Sequence, residues 1–153
     1  FAGVAALWWA YFDFTAIAAE RSLRRASALA RGPLAREVFT LFHYPMVLGI
    51  ILYAVAAKKT LEDPLDPLSE AGRWALGLGI AVFLSGFVLA RFRVVRRVAW
   101  ERIAAGLAAV IAAVLLDGTD AIVTLAVVLG ILVASIAVET ARLREIRAAV
   151  KAG

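Results

Sequence analysis

Apolar residues in this chain do not alternate with polar ones. They collect in long uncharged runs divided by short charged segments. Residues 38–57, 74–90, 103–116 and 121–138 contain no Asp, Glu, Lys or Arg, over 20, 17, 14 and 18 residues. About 20 helical residues cross a bilayer core, and shorter runs are completed by their flanks. With the apolar stretch that precedes Glu20, the pattern predicts five transmembrane helices, at about 1–19, 37–57, 74–90, 99–116 and 121–138. The expected fold class is all-α: a polytopic transmembrane helix bundle forming a single domain over 1–153. The fourth run is short, so Val98–Trp100 complete it, with Glu101 and Arg102 at the interface and the arginine snorkelling to the headgroups.

The breaks between runs carry turn chemistry. Gly32-Pro33 precedes the second span, where Pro33 suits a first helical turn. Pro64 and Pro67 hold an acidic loop extended. Asp117-Gly118-Thr119-Asp120 offers a left-handed glycine after the fourth helix and a capping Thr or Asp before the fifth. Leu23, Ala26 and Ala30 share a helical face, so residues 20–30 read as a short surface helix or as a solvated basic loop. Small residues recur every fourth position: Ala75, Gly79, Val82, Gly86 and Ala90, then Ala105, Ala109 and Ala113, then Ala126, Gly130 and Ala134. In lipid such stripes let backbones approach, so all three predict packing inside the bundle.

Composition strengthens the membrane reading. Apolar residues make up 63% of the chain and charged ones 19%, against about 45–50% and about 25% in soluble domains. The absence of Cys excludes disulfides, zinc–sulfur sites and iron–sulfur clusters. The one methionine is Met46, so Phe1 is expected to lie within a longer protein, and no signal-peptide pattern is evident at residues 1–12.

Charge then orients the spans. Lys plus Arg counts run 5, 3, 5, 0 and 4 through the five segments that follow successive spans. The positive-inside rule places the basic segments 20–36, 91–102 and 139–153 in the cytoplasm, with residue 1 outside and the tail inside. The net charge of +5 therefore reports orientation and not a nucleic-acid partner. The expected partners are the lipid bilayer, anionic lipid at the basic loops, and N-terminal helices of the same protein missing from this sequence. A homo-oligomer is also open.

Ionisable residues inside a membrane are default pointers to function. Two lie within the apolar runs. Asp13 is seven residues inside Glu20 and His43 six residues beyond Glu37, or ~10 and ~9 Å along antiparallel helices at 1.5 Å per residue. Matching depth predicts an Asp13–His43 pair. Tyr11 and Tyr44 join them as candidate ion- or proton-relay residues, and Thr15, Thr40 and Tyr53 add hydrogen-bonding groups on the same helices. Pro45 removes the bond to the Leu41 carbonyl, predicting a kink beside His43. Such a site relays protons or holds a small cation; the same pair would equally serve as a satisfied link between two helices. If the membrane edge lies near Asp13, Trp8, Trp9 and Tyr11 become an interfacial belt instead.

Other chemistries are poorly served. One histidine makes a zinc catalytic site improbable. His43 and Met46, one turn apart, cannot take opposite axial positions on a haem. Gly77-Leu78-Gly79 lacks the rest of a phosphate-binding fingerprint. No metal, cofactor or enzymatic activity is expected. Glu139 is expected at the interface, paired with Arg142 or Arg144.

The run Trp8-Trp9-Ala10-Tyr11-Phe12-Asp13-Phe14 followed by Glu20-Arg21, the run Phe42-His43-Tyr44-Pro45-Met46-Val47-Leu48-Gly49-Ile50, and Lys58-Lys59-Thr60-Leu61 before a Pro-containing acidic loop resemble the bacterial low temperature requirement protein A family. The resemblance covers most of the chain and corresponds to the C-terminal part of that family, less than half its length. The last three helices match in character only. It implies a multi-pass protein of the cytoplasmic membrane with a transporter-like or stress-adaptation role. Two functions follow as expectations: a proton- or ion-coupled transport module using Asp13 and His43, or a non-catalytic scaffold or stress-adaptation sensor whose basic loops contact lipid or a cytoplasmic partner.

Overall fold

The computed structural model describes residues 2–12, 32–33 and 36–152. Among them it contains five α-helices: α1 (Ala2–Phe12), α2 (His43–Glu62), α3 (Glu70–Val95), α4 (Trp100–Leu115) and α5 (Ala121–Ala152). A π-helical turn, Glu37–Leu41, leads into α2. The protein is therefore all-helical, as the uncharged runs predict. Three helices are long and apolar enough to cross a membrane: α2, α3 over Glu70–Val94, and α5 over Ala121–Ala141. The 16 residues of α4 extend ~24 Å at 1.5 Å each, short of the ~30 Å hydrocarbon core.

Glycine sets the separation of α2 and α3, the most extensive helix pair. A Cβ on Gly49 would fall 2.5 Å from the Gly79 carbonyl oxygen, and one on Gly79 would fall 2.8 Å from the Tyr53 nitrogen. The two backbones touch, so van der Waals packing replaces the hydrophobic drive that lipid cannot supply. Farther along, Met46 fills the notch left by Gly86, where a Cβ would lie 2.5 Å from its Cγ. On its other side α3 meets α4: Ala105, Ala109 and Ala113 are buried, and Gly77 lies against Val110 and Ala113. Leu76, Ile80, Phe83, Leu84 and Phe87 fill the space between. Two of the three small-residue stripes thus pack as expected.

The third does not. Ala126, Gly130 and Ala134 are exposed, and a Cβ on Gly130 would meet open space among the described residues. Instead α5 turns Ala121, Thr124, Val128, Leu132 and Glu139 inward. Large aliphatic side chains and one carboxylate, not small residues, define its buried face. In an Ala-rich apolar helix, small residues recur on more than one face and do not by themselves select the packed one.

The chain reversals place two distinct ends. At one, the acidic loop between α2 and α3 lies over the start of α5. Its Asp66 and Pro64 carbonyls accept from the Ala121 and Ile122 N–H groups at 3.1 and 3.0 Å. These donors belong to the first helical turn and have no partner within the helix. Gly118, at φ +73°, makes the left-handed turn expected after α4, and Ser69 caps α3 by accepting from Gly72 N at 3.2 Å. At the opposite end lie His43, the C-terminus of α3, the N-terminus of α4 and Glu139.

Candidate functional site

His43 is the first residue of α2, directly after the π-helical turn. There Phe42 N–H donates to the Glu37 carbonyl at 3.0 Å, the i to i−5 bond of a widened turn. Pro45 is the third residue of α2 and has no N–H to donate, and its ring would clash with the carbonyl four residues back. The backbone beside His43 is irregular. Its form is a π-helical turn followed by a fresh α-helical start, a local geometry found frequently at functional sites.

His43 also lines a cavity of about 850 Å³ between α1 and α2. Val4, Leu7 and Trp8 of α1 face Met46, Ile50 and Tyr53 of α2 across it, and Lys58 and Glu62 reach it at the far end. The α2 residues lining it run from His43 to Glu62, or ~28 Å of helix axis at 1.5 Å per residue, close to the thickness of the hydrocarbon core. The lining is apolar except at its two ends and at Tyr53. Tyr53 is buried, and α1 approaches it where Gly3 has no side chain: a Cβ there would fall 1.9 Å from the tyrosine hydroxyl oxygen.

Of the residues singled out in the sequence, His43 and Tyr53 line this cavity, and Pro45 stands two residues beyond His43 in α2. Tyr44 is 68% exposed and is not part of the cavity lining. Asp13, Thr15 and the side chain of Tyr11 fall outside the described residues, and so does the Asp13–His43 pair. The same holds for the proposed surface helix at 20–30. No group of three or more His, Cys, Asp or Glu side chains able to hold a metal ion occurs among the described residues.

A second polar cluster, absent from the sequence expectations, closes the same end. Arg102 of α4 donates through Nε and Nη2 to one oxygen of Glu139 in α5, at 2.9 and 2.8 Å. Arg91 of α3 donates to Glu101 at 2.8 Å and lies 3.5 Å from Glu139. Arg93 pairs with Glu37 of the π-helical turn. The Arg102 guanidinium stacks 4.5 Å above the Phe87 ring, which meets Phe83 edge-on at 5.1 Å. Four helical elements are thus tied by charge at one level. Arg102 and Glu139 are only 7% and 9% exposed.

A family model describing the bacterial low temperature requirement A protein matches residues 1–138. The chain belongs to the bacterial low temperature requirement A family. No curated protein and no solved structure matches it. The match in this low temperature requirement A member takes in His43, Pro45, Arg91, Glu101 and Arg102. With its apolar helices, membership makes this a membrane protein.

One expectation about the charged end is corrected. Arg102 does not snorkel outward, because a carboxylate and an aromatic face inside the bundle satisfy it better than a long reach to the headgroups. Glu139 takes its partners from α3 and α4; the side chains of Arg142 and Arg144 lie outside the described residues. A signal for this was available. Arg91, Glu101, Arg102 and Glu139 stand at the same end of three consecutive apolar runs, with opposite signs on neighbouring helices.

Proposed function

We propose that this low temperature requirement A member is a proton- or ion-coupled transport module of the bacterial cytoplasmic membrane, with His43 as its coupling residue and the cavity along α2 as its path. The observation that carries the proposal is the position of His43. An imidazole, whose ring nitrogens can donate or accept a proton, stands at one end of a cavity that follows α2, beside a π-helical turn. Asp13 joins the proposal on its sequence position alone, because a carboxylate within the hydrocarbon needs a partner or a proton. The buried ion pairs at the same end support it by fixing α3, α4 and α5 beside the site. Five spans, with the arginine-rich end in the cytoplasm, complete the arrangement.

Reconstitution of the full-length protein into liposomes carrying a pH-sensitive dye tests this. His43→Ala and Asp13→Asn are each expected to lower proton or cation flux at least about tenfold, with the thermal transition in detergent little changed. Unchanged flux with lost stability in both variants overturns the proposal and favours a non-catalytic scaffold. For orientation, Ser69→Cys is expected to react with an impermeant maleimide from outside intact cells and Ser27→Cys to be protected. The reverse pattern inverts the topology.

A further inference from the structure

At the arginine-rich end, three acids are already held: Glu37 by Arg93, Glu101 by Arg91 and Glu139 by Arg102. Arg96 and Arg97, in the corner between α3 and α4, are exposed and no carboxylate pairs with them among the described residues. Arg96 is also the one non-glycine residue described with a positive φ, at 56°. It ends α3 as a left-handed C-cap, with its N–H donating to the Phe92 carbonyl at 2.9 Å. Glycine is the usual residue there. An arginine in that conformation carries a conformational cost, which directs attention to what the corner does. Trp100 follows at once and is 70% exposed; tryptophan is enriched where membrane meets water.

The two helices joined by this corner enclose a groove of about 290 Å³. Ala81, Ser85 and Leu89 of α3 and Ile103, Gly106 and Leu107 of α4 line it. Its α3 wall from Leu89 to Ala81 is ~12 Å long at 1.5 Å per residue. It is shallow-floored because Gly106 sits against Ala81, where a Cβ would fall 3.2 Å from the Ala81 Cα. Arg102 also lines it, and the Nη1 of that buried guanidinium has no hydrogen-bond partner among the described residues. An apolar groove thus lies between the two helices that this corner joins, and among the described residues no carboxylate pairs with the two arginines of the corner.

We propose that this corner and groove bind one anionic phospholipid. Its phosphate lies on Arg96 and Arg97, and the upper part of one acyl chain lies between α3 and α4. Guanidinium groups suit phosphate because they offer several donors in a planar fork. Basic pockets between membrane helices are known headgroup sites. The field of Arg102 adds to the attraction, while its own hydrogen bonds stay with Glu139. The occupant is a lipid with an anionic phosphate headgroup, since only that combines a charge for the corner with a chain for the groove.

The test is native mass spectrometry of the purified full chain in mild detergent, titrated with dioleoylphosphatidylglycerol or with dioleoylphosphatidylcholine. The wild type is expected to retain the first more strongly. The double variant Arg96→Gln/Arg97→Gln is expected to lose that preference, by roughly thirtyfold for two arginines near an anionic group. Leu107→Trp, which fills the groove from its exposed side, is expected to reduce retention of both lipids. Arg36→Gln, an exposed arginine at the same end, is expected to leave the preference unchanged. Equal retention of the two lipids by wild type overturns the proposal. So does an Arg36→Gln effect as large as that of the double variant, which would mean diffuse surface charge. Unaltered retention in Leu107→Trp overturns the place given to the acyl chain.

Discussion

The two ends of the bundle hold their helices by different means. At the arginine-rich end, side chains carry the connection: Arg91, Arg102, Glu101 and Glu139 join three helices through charge. At the other end the backbone carries it, with the carbonyls of Pro64 and Asp66 closing the first turn of α5. One ion pair links different segments there, Arg73–Asp117 at 2.5 Å, while Lys58 and Lys59 pair with Glu62 within α2. The difference is one of solvent. A buried charge that loses its partner stays in low dielectric, whereas an exposed one finds water. Similar distances in the two places therefore have very different consequences.

The largest effect is expected from Glu139→Gln. It leaves the Arg102 guanidinium buried without a counter-charge, and breaking such a pair from one side costs about 3–5 kcal/mol. For a chain of this size that lowers the thermal transition by roughly 10 °C, measurable by scanning fluorimetry in detergent. The double variant Arg102→Leu/Glu139→Leu should recover more than half of the loss, because the uncompensated charge leaves with its partner. Arg91 keeps Glu101 throughout. A single variant as stable as wild type would mean that the buried pair is open to water, and the contrast between the ends would fall.

A middle-sized effect is expected from Ser69→Ala at the backbone-held end. The hydroxyl oxygen of Ser69 accepts from Gly72 N, and removing a serine N-cap costs about 1 kcal/mol. Hydrogen exchange should quicken in the first turn of α3 while α5 keeps its protection, since its first N–H groups are closed by the loop carbonyls. Faster exchange in both helices would show that the loop transmits the loss, making that end as cooperative as the charged one.

The two ends also differ in how much the amino-acid order discloses. Turn chemistry is local, so Gly118 and the prolines mark the backbone-held end residue by residue. The charged end depends on which helix faces meet, and hydrophobicity is a poor guide to that here. Lipid is as apolar as a protein core, so a spanning helix such as α3 need not show a polar outer face. Close approach by glycine is legible at Gly79 and Gly86. The same pattern misleads at Gly130, because small residues permit contact without requiring it. Arg102–Glu139 is not legible from chain neighbours, because the two side chains meet only where α4 packs on α5. His43 and Pro45 stand out from their residue types alone, whereas the cavity along α2 depends on where α1 docks.

The smallest effect is expected from Asp117→Asn. The Arg73 side chain is 14% exposed but that of Asp117 is 70% exposed, and pairs with one partner in water contribute about 0–1 kcal/mol. Arg73 also donates to the Leu68 carbonyl at 3.0 Å, so the guanidinium keeps an acceptor when the carboxylate is gone. The thermal transition should shift by no more than about 2–4 °C, and the shift should shrink in about 1 M salt, where screening acts over ~3 Å. Glu139→Gln, measured in the same salt series, should keep its full loss, since a buried pair is screened far less. Parallel salt responses in the two variants would place both ion pairs in the same dielectric. That outcome would remove the physical basis for treating the ends as different.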